Sequence, residues 1–194
     1  MSTRNYLTAI MICLSMIAQS QTNCGDLIYF TQTGNPVGLG TAGDPVDLNQ
    51  ALQLVTPTRH HIVMLNGVYT YAQKFVIPSE TVLDGSYEIT GGEWVKNSSL
   101  TTTLNIAAPF ENPAAGIGHH IAIQLDGVND VYIKDIILVN TTNAVGTTNG
   151  KGHTVYGIHV ANSNNFYFSR MDITTGNASN GSDCLLYTSP SPRD

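Results

Sequence analysis

Apolar and polar residues alternate in short runs along most of this chain, and one alternating block is written twice. The first copy is IAIQLDGVNDVYIKDIILVNT from Ile121; the second is YGIHVANSNNFYFSRMDITTG from Tyr156. A shift of 35 positions lays Ile123 on Ile158, Leu125 on Val160, Val131 on Phe166, Ile133 on Phe168, Ile136 on Met171 and Leu138 on Ile173. The spacing inside each copy is that of strands, and no three-to-four helical spacing runs through both. Short strands repeating every few tens of residues predict a solenoid. A single coil cannot bury its apolar face, so coils stack, pair their strands in parallel and share one core. Parallel neighbours lie about 4.8 Å apart, so each residue sits on its counterpart. Asn129 over Asn164 then forms an Asn ladder in a turn. The bends Lys134-Asp135 and Ser169-Arg170 set Asp135 against Arg170.

The rest of the chain is consistent with this pattern. Leu7 to Ala18 is an apolar run of 12 residues after Arg4, too short to span a bilayer. With small residues at Ala18 and Ser20 it predicts a secretory signal over 1–20. Residues 21–43 form a lead-in, with a strand at 27–30 and a Gly-rich loop at 31–43. Asp44 is the expected N-cap of the one convincing helix, with Pro45 at its first position and Val46, Leu48, Ala51, Leu52 and Val55 on one face. Such a helix would plug the open end of a solenoid core. Strands are expected at 61–65, 68–71, 75–77, 81–84 and 103–106, with a turn at Asn66-Gly67. An excursion over 91–99 carries Trp94, and 109–118 is loop. A Thr-, Asn- and Gly-rich insertion occupies 141–154. The solenoid is expected over 44–183. Residues 184–194, CLLYTSPSPRD, break the pattern and match a translated sequencing-library adapter. On that expectation they are artefactual, the solenoid continues in a longer protein, and the isolated chain aggregates through its uncapped last coil.

From about Leu48 to Gly181 the chain resembles the right-handed parallel β-helix proteins, which include pectate lyases and many bacterial surface proteins. The resemblance rests on the repeat, on the G-T-x-x-x-P-x-x-L-x-x-A-L stretch from Gly40 to Leu52, and on the N-G-x-Y, I-P and D-G turns. It implies an all-β, right-handed parallel β-helix solenoid with a short N-terminal capping helix.

Composition narrows the function classes. Charged residues make up 11% of the 194, Gly numbers 18, and the formal charge is −6 with only eight Lys and Arg. A basic surface for nucleic acid is not expected. The three cysteines, Cys13, Cys24 and Cys184, form no C-x-x-C and no disulfide framework.

Candidate chemistry is sparse. Tyr132 and Tyr167 share the 35-residue shift and alternate with core residues, so both should project outward and stack. Such ladders bind sugar rings, and they also simply stabilise sheets. Asp135 and Arg170 are a candidate binding pair, although an exposed ion pair is more commonly structural. The lyases of the resembling family imply Ca²⁺ held by acidic residues, but no motif here supplies the converging oxygens that Ca²⁺ needs. No cofactor and no metal site is therefore expected. Asp126, Asp130, Asp172 and Asp183 are weaker candidates, and no Asp-Asp or close Asp-x-Asp marks a hydrolase. Adjacent histidines at 60–61 and 119–120 point to opposite strand faces, and His159 should face solvent. Four glycosylation sequons, at Asn97, Asn140, Asn177 and Asn180, are matched by chance in so polar a chain.

The expectation is an exported, secreted or cell-surface protein, adhesin-like, whose partner is a polysaccharide or cell-surface glycan. No transmembrane helix is expected in this sequence. The alternative is a secreted polysaccharide lyase or glycoside hydrolase, and a third possibility is a display stalk. An enzyme should show Asp, Lys or Arg clustered on one face over consecutive coils. A binding protein should show aromatic and Asn ladders without such a cluster.

Overall fold

The computed structural model describes residues 26–112 and 118–182. The expected signal over 1–20, the expected adapter tail, Asp183 and all three cysteines lie outside the described residues. The fold is mostly β and forms a parallel β-solenoid of about four turns.

The strands, in chain order, are β1 (Leu27–Asn35), β2 (His61–Leu65), β3 (Gly67–Tyr71), β4 (Phe75–Val76), β5 (Val82–Thr90), β6 (Glu93–Lys96), β7 (Thr102–Ile106), β8 (Phe110–Glu111), β9 (His119–Asp126), β10 (Asn129–Asn140), β11 (Thr147–Thr148), β12 (Lys151–Gly152), β13 (Thr154–Ala161) and β14 (Asn164–Thr175). Among the described residues there is one helix, α1 (Leu48–Gln53), which follows β1.

Three parallel faces wrap the core. The first stacks β1, β2, β5 and the front halves of β10 and β14. The second stacks β3, β7 and the rear halves of β10 and β14. The third stacks β4, β9 and β13. β10 serves two faces because it bends at Asp135, whose φ is +57°; β14 bends in register at Arg170, φ +49°. Left-handed backbone is uncommon outside glycine, so these stacked corners are specific features of the coil. Asp130 and Asn165, at φ +58° and +51°, repeat the device at the preceding corner.

Every apolar pair read from the 35-residue shift is a register pair in the structure. In the inner coil, Val131, Ile133 and Leu138 have no exposed surface. Their counterparts in the outermost described coil are more open, Phe166 at 43% and Ile173 at 46%. The Asn ladder is present, with Asn164 Nδ2 donating to Asn129 Oδ1 at 3.3 Å. Asn140 is fully buried and donates to the backbone oxygens of Tyr156 at 2.8 Å and His120 at 3.3 Å, tying two coils together from within.

Several local expectations change or gain detail. The N-cap is Asp47, whose Oδ1 accepts from Gln50 N at 2.8 Å, and not Asp44. The reason is β pairing: Val46 bridges to Phe30 and Asn35, so residues before Asp47 are extended. Asp44 instead accepts from the Leu39 N–H at 2.8 Å and folds the preceding turn. α1 still closes the core, with Leu48 and Ala51 buried. β1 runs on to Asn35, through residues expected to be loop, and is itself a rung of the first face. β5 continues past Gly85, where a turn was expected. A Cβ at Gly85 would lie 2.1 Å from the Asp135 carbonyl oxygen, so the close approach of the next coil requires glycine there. The excursion is a β5–β6 hairpin that folds over the first face, with Trp94 edge-on to Tyr29 at 4.9 Å. In addition, the 109–118 loop contains β8, paired antiparallel to β9.

Candidate functional site

The outer side of the first face is organised in columns. Parallel register places His61, Val82, Tyr132 and Tyr167 on successive rungs of one column, and Val63, Asp84, Lys134 and Ser169 on the next. The hairpin shields part of the second column, so Asp84 is buried, with its side chain 3% exposed. An isolated carboxylate in that position would be costly. Four groups satisfy it. Asp84 Oδ2 accepts from His61 Nε2 at 3.1 Å, Tyr87 Oη at 3.1 Å and Lys134 Nζ at 3.0 Å, and Oδ1 accepts from Lys96 Nζ.

Lys96 links this carboxylate to a second one. Its ammonium also lies 2.6 Å from Asp135 Oδ2 and contacts the Gly85 carbonyl oxygen. Asp135 in turn takes both arms of the Arg170 guanidinium, from Nε at 2.5 Å and Nη2 at 2.8 Å. Two carboxylates and three cations therefore interlock across consecutive coils. Burial pushes the Asp84 carboxyl up, but the hydrogen bonds from His61, Lys96 and Lys134 outweigh it and hold it well below the ordinary range. The Arg170 guanidinium holds Asp135 low, against a smaller effect of burial. Burial and the neighbouring Asp84 charge raise the Tyr87 hydroxyl. Both carboxylates are thus ionised at neutral pH and can only accept. Because ionised Asp84 accepts, His61 Nε2 must carry a hydrogen, which leaves Nδ1 as the lone-pair nitrogen of the neutral ring.

Beside this cluster lies an open groove of about 580 Å³ lined by His61, Val82, Tyr132, Lys134 and Tyr167. Tyr132 and Tyr167 do project outward, 37% and 59% exposed. Their ring centroids are 6.4 Å apart and the planes are inclined by 49°, so the two rings form a tilted platform. Asn165 Nδ2 donates to the Tyr132 hydroxyl at 3.4 Å and also contacts Asp130. A second hollow of about 330 Å³ flanks the column on its other side, lined by Pro57, His60, Glu80, Val82, Asp130 and Tyr132.

The structure therefore brings Tyr132 and Tyr167 into one groove and places the Asp135–Arg170 pair beside it. Asn129 and Asn164 remain in the turn ladder. Asp126, also in a turn, accepts from Asn162 Nδ2 at 3.2 Å. Asp172 lies with Arg170 on a separate small cleft. His60 and His61 diverge as expected, His60 Nδ1 lying 3.0 Å from the Pro57 oxygen. His159 is not simply solvent-facing: it stacks on His119 at 6.3 Å and its Nδ1 is buried. Among the described residues no three His, Cys, Asp or Glu side chains converge as a metal site would require.

Sequence reasoning missed Asp84, Lys96 and Tyr87, and had not joined His61 and Lys134 to the tyrosines. The repeat hides them. Val82 registers on Tyr132 across an insertion, so the 35-residue shift does not reach β5. The usable signal was a carboxylate directly after the apolar pair Val82-Leu83 in a strand.

The fold and groove define the class: a three-faced parallel β-solenoid with an aromatic and cationic groove on one face. No protein-family model, curated protein or solved structure matches the chain. Among the described residues no helix is long and apolar enough to cross a membrane.

Proposed function

We propose that this protein is an exported or surface-displayed β-solenoid that binds a glycan through the groove of Tyr132 and Tyr167. The observation that carries this reading is the pair of outward tyrosines forming a wall of a groove that also holds Lys134 and His61. Ring faces accept the C–H surface of a sugar, and a few polar groups at the margin fix orientation. Lys134 contributes because its ammonium has one carboxylate partner, Asp84, and a side chain still 34% exposed. The export component rests on the charged start and short apolar run of residues 1–20.

The test is binding of the chain to immobilised plant and bacterial polysaccharides, with Tyr167→Ala alongside. We expect a loss of about tenfold or more in affinity for the variant. Equal binding by the two, or no binding by either, would remove the proposal.

A second reading is an enzyme on the same fold, and the cluster of Asp84, Lys96, Lys134, Asp135 and Arg170 supports it, being charged groups on one face over consecutive coils. The ionisation states restrict its chemistry. A glycoside hydrolase working through Asp84 and Asp135 would need one of them protonated as the acid, and both are held low. Proton abstraction by His61 Nδ1 is the step the arrangement can support. Product formation from the same polysaccharides, lost in His61→Asn with binding retained, would favour this reading over the first.

A further inference from the structure

The columns carry more than a binding groove; they set the length and direction of what binds. His61, Val82, Tyr132 and Tyr167 occupy four consecutive rungs in strict register. Rungs are about 4.8 Å apart, so the column runs about 14 Å parallel to the solenoid axis. That is several times the width of one six-membered ring. The two flanks of the column differ in charge. Lys134 stands on the side of the ionic cluster. Glu80 and Asp130 line the hollow on the other side, and Glu80 N donates to the Asn129 oxygen, which holds these two acidic corners in adjacent rungs. Val82 and Tyr132 belong to both hollows, so the column is the ridge of one continuous surface.

We infer that the ligand is a linear oligosaccharide lying along the solenoid axis, long enough to reach from Tyr167 to His61. Its hydroxyls donate toward Glu80 and Asp130 on one side and accept from Lys134 on the other. A single sugar would engage the tyrosines alone. An oligomer laid along the strands would instead leave the column after one residue and cross onto the column of Lys134, two positions on along the same face. This inference rests on the glycan reading of the groove, and it makes the separate claim that the ends of the column act together.

The experiment uses the full chain and ladders of cello-, xylo- and galacturono-oligosaccharides, from dimer upward, in titration calorimetry. Affinity is expected to rise with length until the oligomer covers the column, then to level off. Tyr167→Ala is expected to weaken every length. His61→Ala, at the far end, should weaken the long members by about tenfold and the dimer by clearly less. Val82→Ala should behave as His61→Ala does, which guards against a folding defect at one position. If oligomers bind but affinity is independent of length, or His61→Ala weakens the dimer equally, the axial placement is wrong while the glycan reading stands. If no member of any ladder binds, and the polysaccharides of the preceding test do not bind either, both fail.

Discussion

A carboxylate with 3% of its side chain exposed must be matched by cations or give up its charge, and Asp84 is matched by Lys96, Lys134, His61 and the Tyr87 hydroxyl. Lys96 is the member that cannot be spared, because it alone touches both Asp84 and Asp135. Replacing it with Met would leave a buried charge short of its partner. Lys96→Met is expected to cost about 3 kcal/mol in urea unfolding. Arg170→Ala should cost much less, since Arg170 is largely exposed and exposed pairs contribute little. The same carboxylates set the acid behaviour. Both are held below their ordinary range, so as pH falls below about 4 the unfolded chain takes up protons that the folded chain refuses. Their stabilisation is therefore complete above that pH and is lost progressively on further acidification. Urea melts between neutral pH and about pH 3 should show the decline, and Asp84→Asn should flatten it.

Strands here are legible where the coil repeats without interruption and obscure where it does not. β10 and β14 were read from spacing alone because nothing is inserted between Ile121 and Ile173 except the 141–154 segment, which leaves the coil length unchanged from 123 to 158 and from 131 to 166. β5 and β7 belong to a coil lengthened by the β5–β6 hairpin, so no constant shift relates them to β10. Gly85 shows how local preference misleads: Asp-Gly suggests a turn, yet the glycine is there to admit a neighbouring backbone. Asp44 shows the same, since an apt capping residue lost the cap to β pairing by Val46. Position within the stack also sets energetics. Leu138 and Ile173 are register partners, one fully buried and the other 46% exposed. Leu138→Ala is expected to cost about 3 kcal/mol through a cavity that neighbours cannot fill. Ile173→Ala should cost clearly less than half of that, and paired denaturant melts would show the difference.

Across the whole molecule, stacking turns a one-dimensional repeat into a surface. Parallel register copies each outward position onto the next rung, which is why four residues from four coils make one groove. Alternation along the chain determined the strand identity, the parallel solenoid, the inward apolar set of β10 and β14, the outward direction of Tyr132 and Tyr167, and the Asp135–Arg170 and Asn129–Asn164 pairings. These follow from a period of two within strands and a fixed coil length, both of which a sequence displays directly. Only the tertiary structure decided that Asp84, Lys96 and His61 join Lys134 and Asp135, that the hairpin buries Asp84, and that the tyrosine platform is tilted. Those outcomes depend on how inserted residues shift one coil against the next and on where a hairpin folds back. Neither is encoded in a local pattern, because the partners lie in different coils and meet only when the coils are stacked.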